Sequence, residues 1–217
     1  VLPTGGVVTG GEVGIARGGD SLTVRQSTPT GVVSWETFSV GQPNAVHFDN
    51  GAGATLNRVR DNVPSRIDGS LTATGSLYLV NPAGVAVGST GRVETGGSFV
   101  GSTLDLADGE FEKAARGEAY TLKGDSRAAV VNAGRIGSLG GDVALVGRTV
   151  DNSGDIAAPG GTAALAAGTE VLVQDRARDG GRFVVRAGGA GTSVRNSGSI
   201  AAAEVELRAN GGNVYAL

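Results

Sequence analysis

Apolar and small residues fall on every second position through much of the stretch from Ser65 to Leu106. From Ile67 to Leu79 they keep one parity. Successive side chains of a β-strand point to opposite faces, so this alternation predicts strands and leaves no room for a helix. Asn81-Pro82-Ala83-Gly84 interrupts the pattern with residue types that favour tight turns. The stretch is therefore predicted to consist of short strands joined by turns.

A second pattern, Asn-x-Gly-x-Ile, recurs in the C-terminal half. It starts at Asn132, Asn152 and Asn196, which are 20 and 44 residues apart. A period near twenty residues, with short strands and glycine turns, indicates a solenoid, and the missing Leu-x-x-Leu-x-Leu framework excludes leucine-rich repeats. We predict an all-β fold, a right-handed parallel β-helix of about eight to ten coils and roughly 40–50 Å in length. The three asparagines are expected to stack at one corner as a structural ladder.

Two segments depart from the repeat, near residues 107–128 and 174–191. The first is crowded with charged residues and is expected to be a solvated excursion or hairpin, with room for a short helix at 110–116. The second is rich in Arg, Asp and Gly, which suggests another hairpin. Residues 1–45 are predicted to form a β cap, because the open end of a strand stack needs covering. Coils would then occupy residues 46–217 of a single domain.

Composition agrees with a thin β-structure. The 217 residues include 39 Gly but no Cys or Met, and only 4% are aromatic, so Val, Ala, Leu and Ile must fill the interior. A net charge of −3 without a dense basic run argues against nucleic acid as a partner. No apolar stretch approaches the ~18 residues of a membrane span.

Candidate chemistry is sparse. His47 is the single histidine, it lies in an alternating strand, and no Gly-x-Ser-x-Gly elbow accompanies it. Zinc sites of the Cys/His type are excluded by count, and no phosphate-binding glycine motif occurs. We therefore predict no catalytic residue, no metal and no cofactor. A β-helical polysaccharide-degrading enzyme stays as an alternative, although its groove of stacked acids is not evident.

Residues 79–85 and 98–105 resemble the central block of the two-partner secretion domain. This is the N-terminal module of filamentous-haemagglutinin-like and high-molecular-weight-adhesin-like exoproteins of Gram-negative bacteria. The family pattern has Asn-Pro-Asn-Gly before Ile or Val, and here Ala83 takes the third position. Gly101 stands where the family usually has Ala.

Further segments carry the same resemblance. Leu-Pro-Thr-Gly-Gly at residues 2–6 is similar to the start of the mature family chains, and Leu-Asn-Arg-Val at 56–59 is similar to another family segment. A second Asn-Pro motif, found in part of the family, is missing where residues 61–64 stand. The subfamily is therefore open.

The resemblance implies a secretion-targeting domain, not an enzyme, at the start of a large exported adhesin or haemagglutinin of which this chain would be a fragment. Its partner would be an outer-membrane β-barrel transporter with periplasmic POTRA-type domains. The domain would be transiently periplasmic, and would nucleate β-helix folding at the cell surface. A host receptor or glycan could bind the full-length protein, and a directly adhesive module is another alternative.

Within this resemblance, Asn81, Pro82, Ala83 and Gly84 form either the transporter-recognition motif or a purely structural turn. Both interpretations are open from the sequence. The supporting positions are Asn57, Arg58, Ser102 and Thr103.

Overall fold

The fold, taken from a computed structural model, winds short strands into coils with three faces, each face a sheet of mainly parallel strands. It describes residues 1–174 and 181–217. We call the sheets A, B and C. This is the predicted β-helix, and its strands and turns follow the alternation and the glycine punctuation of the sequence.

The elements are numbered in chain order. Sheet A contains β1 (Val7–Gly10), β4 (Thr30–Trp35), β6 (Ala54–Val59), β9 (Ser76–Val80), β12 (Phe99–Ser102), β16 (Val143–Gly147) and the C-terminal parts of β18 (Asp155–Ala167) and β22 (Ser199–Ala209). Sheet B contains β2 (Val13–Gly18), β3 (Ser21–Gln26), β5 (Ala45–Asp49), β8 (Ser70–Ala73), β11 (Arg92–Thr95), β15 (Arg135–Ser138) and the N-terminal parts of β18 and β22. Sheet C contains β7 (Ser65–Ile67), β10 (Val85–Val87), β14 (Ala129–Asn132), β17 (Thr149–Asn152), β21 (Ser193–Asn196) and β23 (Asn213–Ala216). Outside the coils lie α1 (Asp108–Ala115), β13 (Tyr120–Lys123), β19 (Glu170–Val173) and β20 (Phe183–Ala187).

Each coil runs from sheet B to sheet A and then to sheet C. Within the described residues, seven coils begin in turn at β3, β5, β8, β11, β15, β18 and β22. The prediction of eight to ten coils was therefore too high. The reason is that two excursions, which carry α1, β13, β19 and β20, use residues that a uniform period assigns to coils.

The interior is a set of aliphatic columns. Register pairs stack like on like, for example Val85, Val130, Val150 and Val194 along sheet C. All four are buried. With strands ~4.8 Å apart, this stacking gives a close-packed core from small side chains. The low aromatic content is thus matched to the narrow interior.

Aromatic side chains are concentrated at the N-terminal end of this core. Trp35 packs edge-on against Phe38 at 5.5 Å between ring centroids, and Phe38 stacks on Phe48 at 6.4 Å. Leu2 is buried beside them in the same cluster. The strands β1 and β2 pair antiparallel with β4 and β3, whereas β3 and β4 already pair parallel with the next coil. The two strands that pair only antiparallel, β1 and β2, therefore end at Gly18, inside the segment assigned to the cap.

A second core lies on the outer face of sheet A. The excursion at 107–128 was expected to be solvated, and that expectation is wrong for its apolar residues. Phe111 of α1 and Tyr120 of β13 both pack on Tyr78, with ring centroids 5.4 and 6.4 Å away. Its charged residues do face solvent, and the allowed short helix is present as α1. The many charged residues of this segment concealed its buried aromatic residues in the sequence.

The second excursion completes this outer core. β19 pairs antiparallel with both β13 and β20, so two segments distant in sequence form one three-stranded sheet. Phe183 is buried against the same cluster. The predicted hairpin at 174–191 corresponds to the β19–β20 connection, of which residues 175–180 lie outside the described residues. No described helix is both long and apolar enough to cross a bilayer.

Candidate functional site

The Asn81-Pro82-Ala83-Gly84 turn connects β9 to β10 at the corner between sheets A and C. The Asn81 side chain is 0% exposed. Its Nδ2 donates to the Val63 carbonyl and to Ser65 Oγ, both at 2.9 Å, and its Oδ1 accepts from Ala83 N at 2.9 Å. The amide thus ties this turn to the start of sheet C in the preceding coil.

The backbone of the turn is equally constrained. Gly84 N donates to the Asn81 carbonyl at 3.0 Å, and Gly84 adopts a φ of +129°, where glycine is favoured. Asn81 N donates in turn to the Ser102 carbonyl at 2.9 Å. Pro82 is exposed and Ala83 is half-buried. Asn81 and Gly84 therefore hold the corner, while Pro82 and Ala83 form its outer surface.

Arg58, one of the supporting positions, lies one coil before the turn on the outside of sheet A. Its guanidinium contacts Asp105 Oδ1 at 3.3 Å, Asp108 Oδ1 at 2.5 Å and the Leu106 carbonyl. These three partners open the first excursion. Arg58 therefore binds the start of the first excursion to the outer face of the β-helix. Its guanidinium is paired and is not a free cation at the surface.

Ser102 and Thr103 are buried on the next coil. Ser102 Oγ accepts from Leu104 N at 2.9 Å and donates to the Leu104 carbonyl at 2.8 Å, so it shapes the exit from β12. Thr103 Oγ1 donates to the Ala128 carbonyl at 3.4 Å, where the first excursion returns. Both hydroxyls are thus occupied within the protein.

Asn57 lies apart from this corner, inside the coil. Its Oδ1 accepts from Trp35 Nε1 at 2.9 Å, and its Nδ2 donates to the Tyr78 carbonyl at 3.2 Å. Asn57 thus links Trp35 of the N-terminal aromatic cluster to the following coil. Of the predicted residues, the structure brings Arg58, the 81–84 turn, Ser102 and Thr103 to one corner, and leaves Asn57 in the interior.

Two contributors to the corner were missed from the sequence. Ser65 binds the Asn81 amide, and Ser126 Oγ donates to the Pro82 carbonyl at 2.6 Å. Ser65 shares the parity of Ile67 and Leu71, which are apolar. A polar residue among apolar residues of the same parity was the signal in the sequence that could have identified it. Ser126 lies in the charged excursion and carries no comparable signal.

The repeated asparagines lie inside another corner, where sheet C turns into sheet B. Asn132 Nδ2 donates to Asn152 Oδ1, and Asn152 Nδ2 donates to Asn196 Oδ1, each at 2.8 Å. At the N-terminal end of the row, Asn132 Oδ1 accepts from Gly134 N at 3.1 Å. The amides therefore form a continuous hydrogen-bonded row through three coils.

The single histidine and the acidic side chains do not form a catalytic or metal-binding cluster among the described residues. His47 is exposed on sheet B with its Nδ1 2.7 Å from Thr72 Oγ1. No group of three or more His, Cys, Asp or Glu side chains able to hold a metal ion occurs within residues 1–174 and 181–217. The acids at the start of the excursion pair with Arg58, as described above.

Comparison with known proteins decides the family. A family model described as the TPS secretion domain matches residues 1–217, the whole chain. This chain belongs to the TPS secretion domain family. Its role is accordingly in the secretion of an exoprotein, as the resemblance implied.

Relatives and solved structures agree with the assignment. The chain is 36% identical over 107 residues to the heme/hemopexin-binding protein of Haemophilus influenzae strain Rd. The matched segment is 48% of this chain and 12% of the relative. A second heme/hemopexin-binding protein from that species is 34% identical over 89 residues, 40% of this chain and 10% of the relative. The matched segments thus span only about a tenth of the length of these relatives.

The fold matches two crystal structures. The HMW1 secretion domain from Haemophilus influenzae superposes with a TM-score of 0.79 at 25% identity, covering 94% of this chain and 57% of that one. The filamentous hemagglutinin secretion domain superposes with a TM-score of 0.57 at 16% identity, covering 98% of this chain and 100% of that one. At that lower identity the second match bears on the fold alone. TPS domains of this kind are recognised by outer-membrane transporters.

Proposed function

We propose that this secretion domain is bound by the periplasmic POTRA-type domains of its own outer-membrane transporter before its coils form, and that it then folds first at the cell surface. The observation that carries the proposal is the family match along the entire chain. The domain would be transiently periplasmic and would belong to a larger exported adhesin or haemagglutinin.

The closed N-terminal end supports the folding half of the proposal. In a solenoid each coil contacts only its neighbours, so folding can begin at one unit and propagate. Here Trp35, Phe38 and Leu2 cover the interior at the N-terminal end. A coil covered on one side is a suitable nucleus, because later coils need to add on the other side only.

The burial of Asn81 supports binding before folding. In the folded domain its amide makes three hydrogen bonds inside the protein and has no exposed surface. We therefore assign Asn81 to holding the corner. An unfolded chain instead offers extended segments to which a partner can add a strand.

Binding of the purified POTRA-type domains to the chain, followed after dilution from denaturant, tests this proposal. Freshly diluted chain should bind, and binding should decay as the coils fold. Asn81→Ala should leave the initial binding unchanged and prolong it, because the variant folds less completely. The matched control Asn213→Ala removes an exposed amide on β23 and should behave as wild type.

Three results would count against the proposal. Binding of the folded domain alone would reverse the assigned order of events. Loss of the initial binding in Asn81→Ala would make Asn81 a contact residue. Absence of binding in both states would remove the POTRA-type partner altogether.

A further inference from the structure

The chain contains two Asn-Gly dipeptides, at residues 50–51 and 210–211, and the structure places them in opposite environments. Asn50 lies in the turn from β5 to β6 and is 3% exposed. Asn210 lies in the turn from β22 to β23 and is exposed. The two sites therefore share a local sequence but differ in the freedom of the asparagine side chain.

An Asn-Gly dipeptide can undergo deamidation without an enzyme. The backbone nitrogen of the glycine gives its proton to a solvent base and attacks Cγ of the asparagine side chain. A bond forms between this nitrogen and Cγ, the Cγ–Nδ2 bond breaks, and Nδ2 leaves as ammonia, so that a cyclic succinimide results. Water then opens the ring at either carbonyl and yields aspartate or isoaspartate. Glycine favours the attack because no Cβ shields its nitrogen.

The environment of Asn210 permits this reaction. Gly211 is exposed, has a φ of +76°, and its nitrogen makes no hydrogen bond within residues 1–174 and 181–217. In the same part of the chain the Asn210 side chain makes one hydrogen bond, from Nδ2 to the Val185 carbonyl at 3.1 Å, and this bond is exposed. Water can replace such a bond at little net cost, so the side chain is able to turn toward the glycine nitrogen.

The environment of Asn50 prevents it. Asn50 Nδ2 donates to Thr55 Oγ1 at 2.9 Å and to the Ser76 carbonyl at 3.0 Å. Its Oδ1 accepts from Gly75 N at 2.7 Å and from Thr74 Oγ1 at 3.2 Å. These bonds must break before Cγ can approach the next nitrogen, so the reaction requires opening of the coils. Because such opening is rare in a folded domain, Asn50 should react at least about 100-fold more slowly than Asn210.

Deamidation at Asn210 would alter the contact between the last coil and the second excursion. The Val185 carbonyl in β20 accepts from the Asn210 amide, whereas an ionised carboxylate offers acceptor oxygens only. Isoaspartate would also lengthen the main chain at a tight corner, where a Cβ on Gly188 would lie 2.1 Å from the Asn210 carbonyl oxygen. We propose that Asn210 deamidates spontaneously in the folded domain, and that the change loosens the contact of β20 with the last coil.

Incubation of the folded domain at mildly alkaline pH, followed by tryptic digestion and mass spectrometry, tests the reaction. The tryptic peptide of residues 209–217 contains both Asn210 and Asn213. Asn210 should convert to a mixture of aspartate and isoaspartate. Asn213, which is exposed but precedes valine, should stay intact in the same peptide. Asn50 should also stay intact, and should react at a rate similar to that of Asn210 once the domain is unfolded in guanidinium chloride.

Hydrogen exchange of the backbone amides in β20 tests the consequence. Asn210→Asp should accelerate this exchange about five-fold, the factor expected when one net hydrogen bond is lost. Asn213→Asp introduces the same charge at an exposed position of β23 and is the matched control. Its β20 amides should exchange as in wild type.

An intact Asn210 in the folded domain would overturn the proposal, because the last coil would then protect it. Equal rates at Asn50 and Asn210 in the folded domain would also overturn it, since burial would not control the reaction. Aspartate without isoaspartate would exclude the succinimide route. Unchanged exchange of β20 in Asn210→Asp, or equal acceleration in Asn213→Asp, would contradict the loosened contact.

Discussion

At the scale of single residues, buried asparagine side chains recur through this domain. Asn57, Asn81 and Asn132 each lie inside a coil with 0% exposure. In each case the side-chain amide satisfies backbone or side-chain groups of a neighbouring coil. A buried amide without partners costs about 1–3 kcal/mol, so these positions favour the observed stacking of neighbouring coils.

The middle of the asparagine row provides the first prediction. Asn152→Ala removes the acceptor of Asn132 and the donor of Asn196, and we expect it to lower the free energy of unfolding by about 2–4 kcal/mol. Asn196→Ala breaks one of these bonds at a half-buried site and should cost about 1 kcal/mol. Denaturant unfolding of both variants measures the difference. Equal losses of unfolding free energy in the two variants would contradict the hydrogen-bonded row, in which Asn152 makes two of these bonds and Asn196 makes one.

The sequence could predict only part of this at the residue scale. The spacing of Asn132, Asn152 and Asn196 predicted their stacking, because one residue type recurred near a coil period. The environment of Asn81 could not be predicted, since its partners Val63 and Ser65 belong to the previous coil. Family resemblance marked the position without saying whether it faces solvent.

At the scale of elements, the corners are set by close approach of stacked backbones. A Cβ added at Gly154 would lie 2.1 Å from the Gly134 carbonyl oxygen, and one at Gly198 would lie 2.0 Å from that of Gly154. The glycine of the Asn-x-Gly-x-Ile pattern is thus required by the close approach of the preceding coil rather than by its own φ. This explains why the motif repeats with the coils.

Two glycine substitutions give the second prediction. Gly154→Ala should force neighbouring coils apart and destabilise the domain by about 1–3 kcal/mol, as overpacking does. Gly137→Ala lies on β15, where the nearest atoms to the new Cβ are 4.0 Å away, and should be neutral or slightly stabilising. Thermal unfolding compares the pair. A neutral Gly154→Ala would show that the corner can relax.

Element prediction from the sequence worked for the coil strands and failed for the first excursion. Alternation with a period of two located β8 to β12, because alternate side chains of these strands point into the interior of the coils. The excursion was taken as solvated because its charged residues show no period. Its buried side chains, Phe111, Tyr120 and Leu122, are spread over a helix and a strand, so no single period connects them.

At the scale of the whole molecule, the domain has two cores on opposite sides of sheet A. The inner core grows coil by coil. The outer core closes only when β19 and β20 join α1 and β13, and it is tied to the last coil by Glu206, whose carboxylate accepts from Arg182 N at 2.6 Å and Phe183 N at 2.9 Å. Its completion therefore depends on segments far apart in sequence.

Alkaline titration of the outer core gives the third prediction. Burial raises the pKa of Tyr78 from 10.0 to about 12 in the folded state, so the unfolded chain loses this proton first. The associated stability is fully present below pH 10 and is lost as the pH rises toward 12, with a size of about 1–3 kcal/mol. Urea unfolding between pH 9 and 12 should show this fall in wild type, and a smaller fall in Tyr78→Phe. Parallel curves for the two proteins would contradict the assignment.

The central claim, that the chain is a secretion domain used by a dedicated transporter, is tested most directly by export. The domain, preceded by a signal peptide, would be expressed in Gram-negative cells with and without its cognate outer-membrane transporter, and quantified in the medium and the periplasm. We predict release into the medium only when the transporter is present. Retention in the periplasm in both strains, or equal release from both, would contradict the account.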